Sequence, residues 1–126
     1  QLADGRLVRY LGIDAPEVHH RRQEAWVRDP EPFGEAATAF NRRLVEGHRV
    51  RLEYDVERSD RFGRLLAYVY VDDRLVNEEL LRAGMARPLV IPPNVRYAER
   101  FRRVAEEARQ AAYGMWEGAP PDPPRR

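Results

Sequence analysis

Hydrophobic and polar positions change period several times along the chain, and each change marks an element. Leu7–Ile13 is an apolar, β-prone run that predicts a strand at least half buried. It should stop at Pro16, which lacks a backbone N–H and disfavours helix at Ala15. Ahead of it, Ala3-Asp4-Gly5-Arg6 reads as a tight hairpin turn. The other arm, Gln1-Leu2, is short, which leads us to expect that the sheet's first strand precedes it. Residues 18–33 carry Pro30, Pro32 and many charges and predict an irregular loop with a helical turn near Glu24–Val27. Ala36, Phe40 and Leu44 then recur at helical spacing, giving a helix from about Glu35 to Glu46 with Gly47 as its stop.

Beyond Gly47 the period returns to two. Val50, Leu52 and Tyr54 alternate with Arg51 and Glu53, a half-exposed strand. Ser59–Gly63 is turn chemistry, Leu65–Val71 is the next strand, and Asp72-Asp73 turns again. Asn77–Arg82 predicts a short helix ending at Gly84, and Met85–Val90 a strand. Pro92-Pro93-Asn94 breaks the chain before a long helix with a buried stripe of Tyr97, Phe101, Val104, Ala108 and Ala111. Gly114 caps it and Met115-Trp116 docks beyond, while residues 118–126 form a proline-rich, loose tail after a domain spanning 1–117. Strands clustered early, with helices between and after, predict an α+β fold built on a small antiparallel sheet or barrel.

Composition changes this picture little. A chain of 126 residues with 43% hydrophobic and 34% charged residues is of one domain's size and excludes wholesale disorder. No window approaches the apolar length of a membrane span. Cysteine is absent, so thiolate chemistry and disulfides are excluded. The net charge of +1 does not by itself announce nucleic acid. All 22 basic residues are arginine, whose fork binds phosphate bidentately only where particular side chains converge.

Candidate chemistry gathers at the end of the first strand. Asp14 and Glu17 flank Pro16, where a scaffold can hold reactive groups firmly yet open to solvent. Arg9 lies five positions before Asp14, and odd spacing in a flat strand puts two side chains on opposite faces. A shared site therefore requires a bend or bulge near Gly12. Taken singly, each residue has an ordinary role: Asp14 as a turn cap, Arg9 and Arg64 as flanking charges. His19-His20 beside Glu17 lacks a third ligand at metal spacing and reads as a solvated pair. Arg96, Arg100 and Arg103 share a helical stripe with glutamates for company, a solvated face.

Four collinear segments carry a resemblance. Arg9-x-x-x-Gly12-Ile13-Asp14-Ala15-Pro16-Glu17 is similar to the signature strand of the staphylococcal nuclease (thermonuclease) family. Phe33-Gly34-Glu35-Ala36 resembles the start of that family's first helix. Asp60–Val69 resembles its second active-site segment, and Val76–Ala86 the helix-to-strand segment after it. The resemblance implies a five-stranded OB-fold β-barrel with three packed helices, lacking its first strand here. It implies a calcium-dependent, monomeric nuclease cutting DNA and RNA with little sequence preference, single strands favoured, and leaving 3′-phosphate ends. In that family's terms, Asp14 and the Ala15 carbonyl bind Ca2+. Glu17 activates or orients water, and Arg9 and Arg64 grip the phosphoryl group in substrate and transition state. Phe62 takes the place of a substrate-binding tyrosine without its hydroxyl, and Leu89–Ile91 is aliphatic where the family stacks tyrosines. The family's Asp-Gly-Asp-Thr turn has no counterpart in the sequence, and its threonine after the calcium aspartate is Ala15. The alternative reading is an inactive nuclease-like OB module that binds nucleic acid or protein, and a third is a purely structural OB domain. Retention of Arg9, Asp14, Glu17 and Arg64 together favours the enzyme.

Overall fold

The computed structural model describes residues 1–16 and 32–117, together with the backbone of two strands at 19–22 and 25–28. Its elements in chain order are β1 (Val8–Tyr10), β2 (Ile13–Asp14), β3 (His19–Arg22), β4 (Ala25–Arg28), α1 (Gly34–Val45), β5 (Arg51–Glu53), β6 (Leu65–Val71), β7 (Arg74–Leu75), α2 (Val76–Arg82), β8 (Arg87–Pro88) and α3 (Ala98–Gln110), closed by a 3-10 turn at Gly114–Trp116.

β6 is the spine. Its sequence, Leu-Leu-Ala-Tyr-Val-Tyr-Val, is apolar on both faces, and Ala67, Tyr68 and Val69 are almost fully buried. β1 runs parallel to it on one side, β5 antiparallel on the other, and β7 folds back on its end. β2 leaves this sheet and pairs antiparallel with β8, while β3 and β4 form a separate hairpin. Three helices pack on this framework, so the fold is α+β, with one chain stretch edging two sheets in the manner of an OB corner. The barrel does not close among the described residues.

The stretch read as one strand, Leu7–Ile13, is broken at Leu11-Gly12, where a site shared by Arg9 and Asp14 would need a bend. Gly12 sits at φ +80, and a Cβ there would lie 2.7 Å from the Phe101 ring, so the kink is pressed directly onto α3. Phe101 in turn joins Tyr68 and Tyr97 in an aromatic cluster with centroids 4.6 to 6.1 Å apart. The kink also ends the β1–β6 ladder. Leu11 N–H donates to Ala67 O, but the next rung, Val69 N–H to Leu11 O, is not direct. The Asn77 amide fills it, its Oδ1 accepting from Val69 N (2.9 Å) and its Nδ2 donating to Leu11 O (2.8 Å), with the side chain fully buried.

Several expectations are corrected. The helical turn expected near Glu24–Val27 is not found: within the 18–33 segment the described residues 19–22 and 25–28 pair as the antiparallel strands β3 and β4. The strand expected over Met85–Val90 is only Arg87–Pro88, because Pro88 has no N–H to extend a ladder. On α3 the buried residues are Phe101, Val104, Ala105 and Ala108; Ala111 lies past the helix end and is exposed. Residues 118–126, expected to be loose, lie outside the described residues.

Candidate active site

Arg9 is placed by the β1–β6 register. It stands opposite Leu66, and Leu65 N–H donates to Leu7 O, so Leu7, Arg9 and Leu11 share a face with Leu66 and Tyr68. Tyr68 and Leu11 on that face are buried; Arg9 is half-buried beyond them. Its Nη1 donates to the carbonyls of Tyr10 (2.8 Å) and Ile13 (3.0 Å), wrapping the guanidinium around the Gly12 kink to the start of β2. A flat strand could not make the second bond. Tyr10, pointing the other way, donates its hydroxyl to Asn41 on α1 (2.8 Å), which pins the strand from behind.

Asp14 ends β2 with its side chain exposed and without an ion pair or hydrogen bond among the described residues. Ala15, next in the chain, packs against the core. An exposed carboxylate and a backbone carbonyl are donors of the hard-oxygen type that calcium takes, and in that respect they fit it. Calcium draws on six to eight such oxygens, and no group of three His, Cys, Asp or Glu stands together among the described residues. Glu17 lies outside the described residues.

Arg64 is held by its own turn. Asp60 accepts the backbone N–H groups of Phe62 and Arg64 (both 2.9 Å) through Oδ1 and the Arg64 Nε through Oδ2 (2.7 Å). Burial raises the Asp60 carboxyl, but these donors outweigh it and leave its pKa below the ordinary value. Phe62 is 61% exposed, with the guanidinium carbons of Arg61 and Arg64 4.8 and 5.8 Å from its ring centroid. Sequence reasoning treated Asp60 only as turn chemistry; its role as the clamp on Arg64 could have been read from an aspartate set to cap a turn ending at Gly63.

Arg9 thus reaches the strand that carries Asp14, while Arg64 stands one residue before β6, where the β1–β6 ladder begins. No contact joins Arg64 to Asp14 among the described residues. A small open cleft beside Arg9 is lined by Gly12, Ile13, Glu57, Leu66, Leu89 and Ile91. Its far rim is tied down by Asn94, whose buried amide brackets the backbone N–H and C=O of Glu57 at 2.8 and 3.0 Å. Neither Asn94 nor Asn77 was singled out from sequence.

The profile of the family described as staphylococcal nuclease homologue matches residues 7–118. Endonuclease YncB of Bacillus subtilis (strain 168) is 41% identical over 111 residues, 86% of this chain and 50% of that protein. The thermonuclease of Staphylococcus intermedius is 36% identical over 110 residues, covering 87% of this chain and 62% of its own. That of Staphylococcus hyicus is 34% identical over 109 residues, 86% and 62% respectively. The chain spans between half and just under two thirds of the length of these relatives. The family match covers β1 through the 3-10 turn, including both arginines and the kink between them and Asp14, and the chain belongs to the staphylococcal nuclease homologue family.

Proposed function

We propose that the chain is the catalytic unit of a metal-dependent nuclease that hydrolyses phosphodiester bonds in DNA and RNA, with single or frayed strands preferred. The observation that carries this reading is the Arg9 clamp. A guanidinium folded across a glycine kink sits beside the carboxylate strand, and a second, separately clamped guanidinium stands one residue before β6. Phosphodiester hydrolysis needs cations where charge accumulates on the five-coordinate phosphorus, and guanidinium forks match phosphate oxygens. Membership of the family and the names of the relatives support the same chemistry.

In this reading Asp14 and the Ala15 carbonyl hold calcium, which when bound adds positive charge at the phosphate. Glu17 acts on the attacking water, as general base or by orientation. Arg9 and Arg64 hold the phosphate oxygens, and Phe62 offers a ring against the nucleotide without a hydroxyl to donate. The domain extends over residues 1–117 and works as a monomer. Among the described residues no helix is long and apolar enough to cross a membrane, and no membrane partner is assigned.

The test is digestion of single-stranded DNA by the full-length chain with calcium, with chelator, and with Glu17→Ala or Arg64→Ala. Loss of one preorganised charge is expected to lower turnover by about 10²–10³-fold. Activity untouched by both substitutions would remove the assignment and favour the non-catalytic binding module.

A further inference from the structure

Asp14 has a cationic neighbour that does not touch it. In the β2–β8 pair, Asp14 stands directly opposite Arg87 and Ile13 opposite Pro88, so the carboxylate and the guanidinium leave their strands on the same face. Cross-strand partners have Cβ atoms only about 5 Å apart, within easy reach of an arginine. Yet no ion pair joins them. The Arg87 guanidinium carbon instead lies 5.4 Å from the centroid of Trp116, with Arg109 of α3 at the same distance from that ring.

Trp116 is itself fixed from elsewhere. The 3-10 turn that carries it abuts the end of α2 so closely that a Cβ on Gly84 would fall 2.0 Å from Tyr113 O, and Met115 N–H donates to Gly84 O (2.9 Å). Gly84 lies three residues before Arg87, so this contact sets the ring beside the root of β8. The indole Nε1 is buried without a hydrogen-bond partner among the described residues. Packing and the two guanidinium groups, rather than a bond to its N–H, hold the ring. Trp116 is half-buried and held in place by its turn, so Arg87 packs on a fixed ring rather than on the exposed Asp14 carboxylate.

We propose that Trp116 is a positioning residue for the metal carboxylate: by holding Arg87 on its ring it keeps that guanidinium off Asp14 and leaves the carboxylate open to a divalent cation. This rests on the assignment of Asp14 to calcium made above. Released from the indole, Arg87 competes with the cation for the same two oxygens. An exposed cross-strand pair alters an equilibrium constant by about two- to fivefold, which sets the size of the effect.

The experiment is a calcium titration of the full-length protein without substrate, followed by the amide NMR signals of Ile13, Asp14 and Ala15. Trp116→Leu is expected to weaken calcium binding about two- to fivefold, and the Trp116→Leu/Arg87→Ala pair to restore it. Trp116→Phe, which keeps a ring beneath Arg87, should bind nearly as the parent does; Arg87→Ala alone should bind at least as tightly. The inference is overturned if Asp14→Asn removes calcium binding while Trp116→Leu leaves it unchanged. It fails equally if the double variant stays as weak as Trp116→Leu, since lost packing rather than a freed charge would then be the cause. Calcium binding that survives Asp14→Asn would overturn the metal assignment itself, a different result from either.

Discussion

Asn77→Ala is the substitution that most directly tests how the kinked strand is held. The side chain replaces one rung of the parallel β1–β6 ladder, bridging Val69 N–H and Leu11 O at 2.9 and 2.8 Å with no solvent access. Truncation leaves a buried donor and a buried acceptor without partners. At about 1–3 kcal/mol for each of the two orphaned groups, the expected loss is about 2–6 kcal/mol. Domains of this size are stable by only about 5–15 kcal/mol, so the midpoint of urea unfolding should fall far enough to measure without ambiguity. Leu11 adjoins Gly12, so the Arg9 bond to Ile13 O should loosen as well, and turnover measured where the variant is still folded should also drop. The competing outcome is physical rather than formal. If the strands can close by a small shift, Val69 N–H would reach Leu11 O directly and the rung would re-form. A loss below about 1 kcal/mol, with unchanged denaturant slope, would show that this happens and that the amide is dispensable.

Other substitutions bear on the same corner. Gly12→Ala places a Cβ at positive φ and 2.7 Å from Phe101; backbone strain alone should remove about 1–3 kcal/mol in thermal or urea unfolding, and a neutral result would mean the kink can flatten. Asp60→Ala takes away the acceptor of three Arg64 and Phe62 donors; about 1 kcal/mol of stability should go with the lost turn contacts, while turnover falls by at least tenfold, and an unchanged rate would show that Arg64 needs no clamp. The Glu53 carboxyl is held below its ordinary pKa chiefly by the Tyr97 hydroxyl (2.7 Å), with burial opposing and Arg96 (2.8 Å) assisting. A depressed folded-state pKa gives stability that is present above the unfolded value and lost as pH falls through the folded one. Unfolding followed from neutral to strongly acidic pH should therefore show a loss that begins as pH falls to the ordinary carboxylate value and continues below it, and Glu53→Gln should make that loss shallower; an identical acid profile in the variant would refute the link.

How much of this was legible beforehand follows from the range of each interaction. Local signals were faithful: Leu65–Val71 is a strand from end to end, α1 and α2 begin within a residue of their predicted starts, and the strand breaks at Gly12, the residue named as able to bend it. The hairpin at 19–28 was missed because neither arm, His-His-Arg-Arg or Ala-Trp-Val-Arg, alternates hydrophobic with polar, and the flanking prolines spoke for a loop. Ala111 fits the stripe arithmetically, but the helix stops before it.

What the pattern could not carry was the identity of the polar groups that hold the corner together. Asn77 is 66 residues from Leu11, and Asn94 is 37 from Glu57; an asparagine early in a helix or after a proline pair reads as a cap or a turn, and only the folded chain shows which backbone groups it satisfies. The same limit applies to Arg9, whose grip on Ile13 O exists only once Gly12 has bent the strand, whereas Asp60, the local clamp on Arg64, was within reach of turn chemistry. The acidic and basic candidates are supplied by the motif, but their mutual placement depends on residues with no charge at all: a glycine pressed against Phe101, an amide standing in for a ladder rung, and a glycine at the end of α2 that admits the turn bearing Trp116. Substitutions at these neutral positions should therefore disturb the arginine and aspartate geometry as severely as changes to the charged residues themselves.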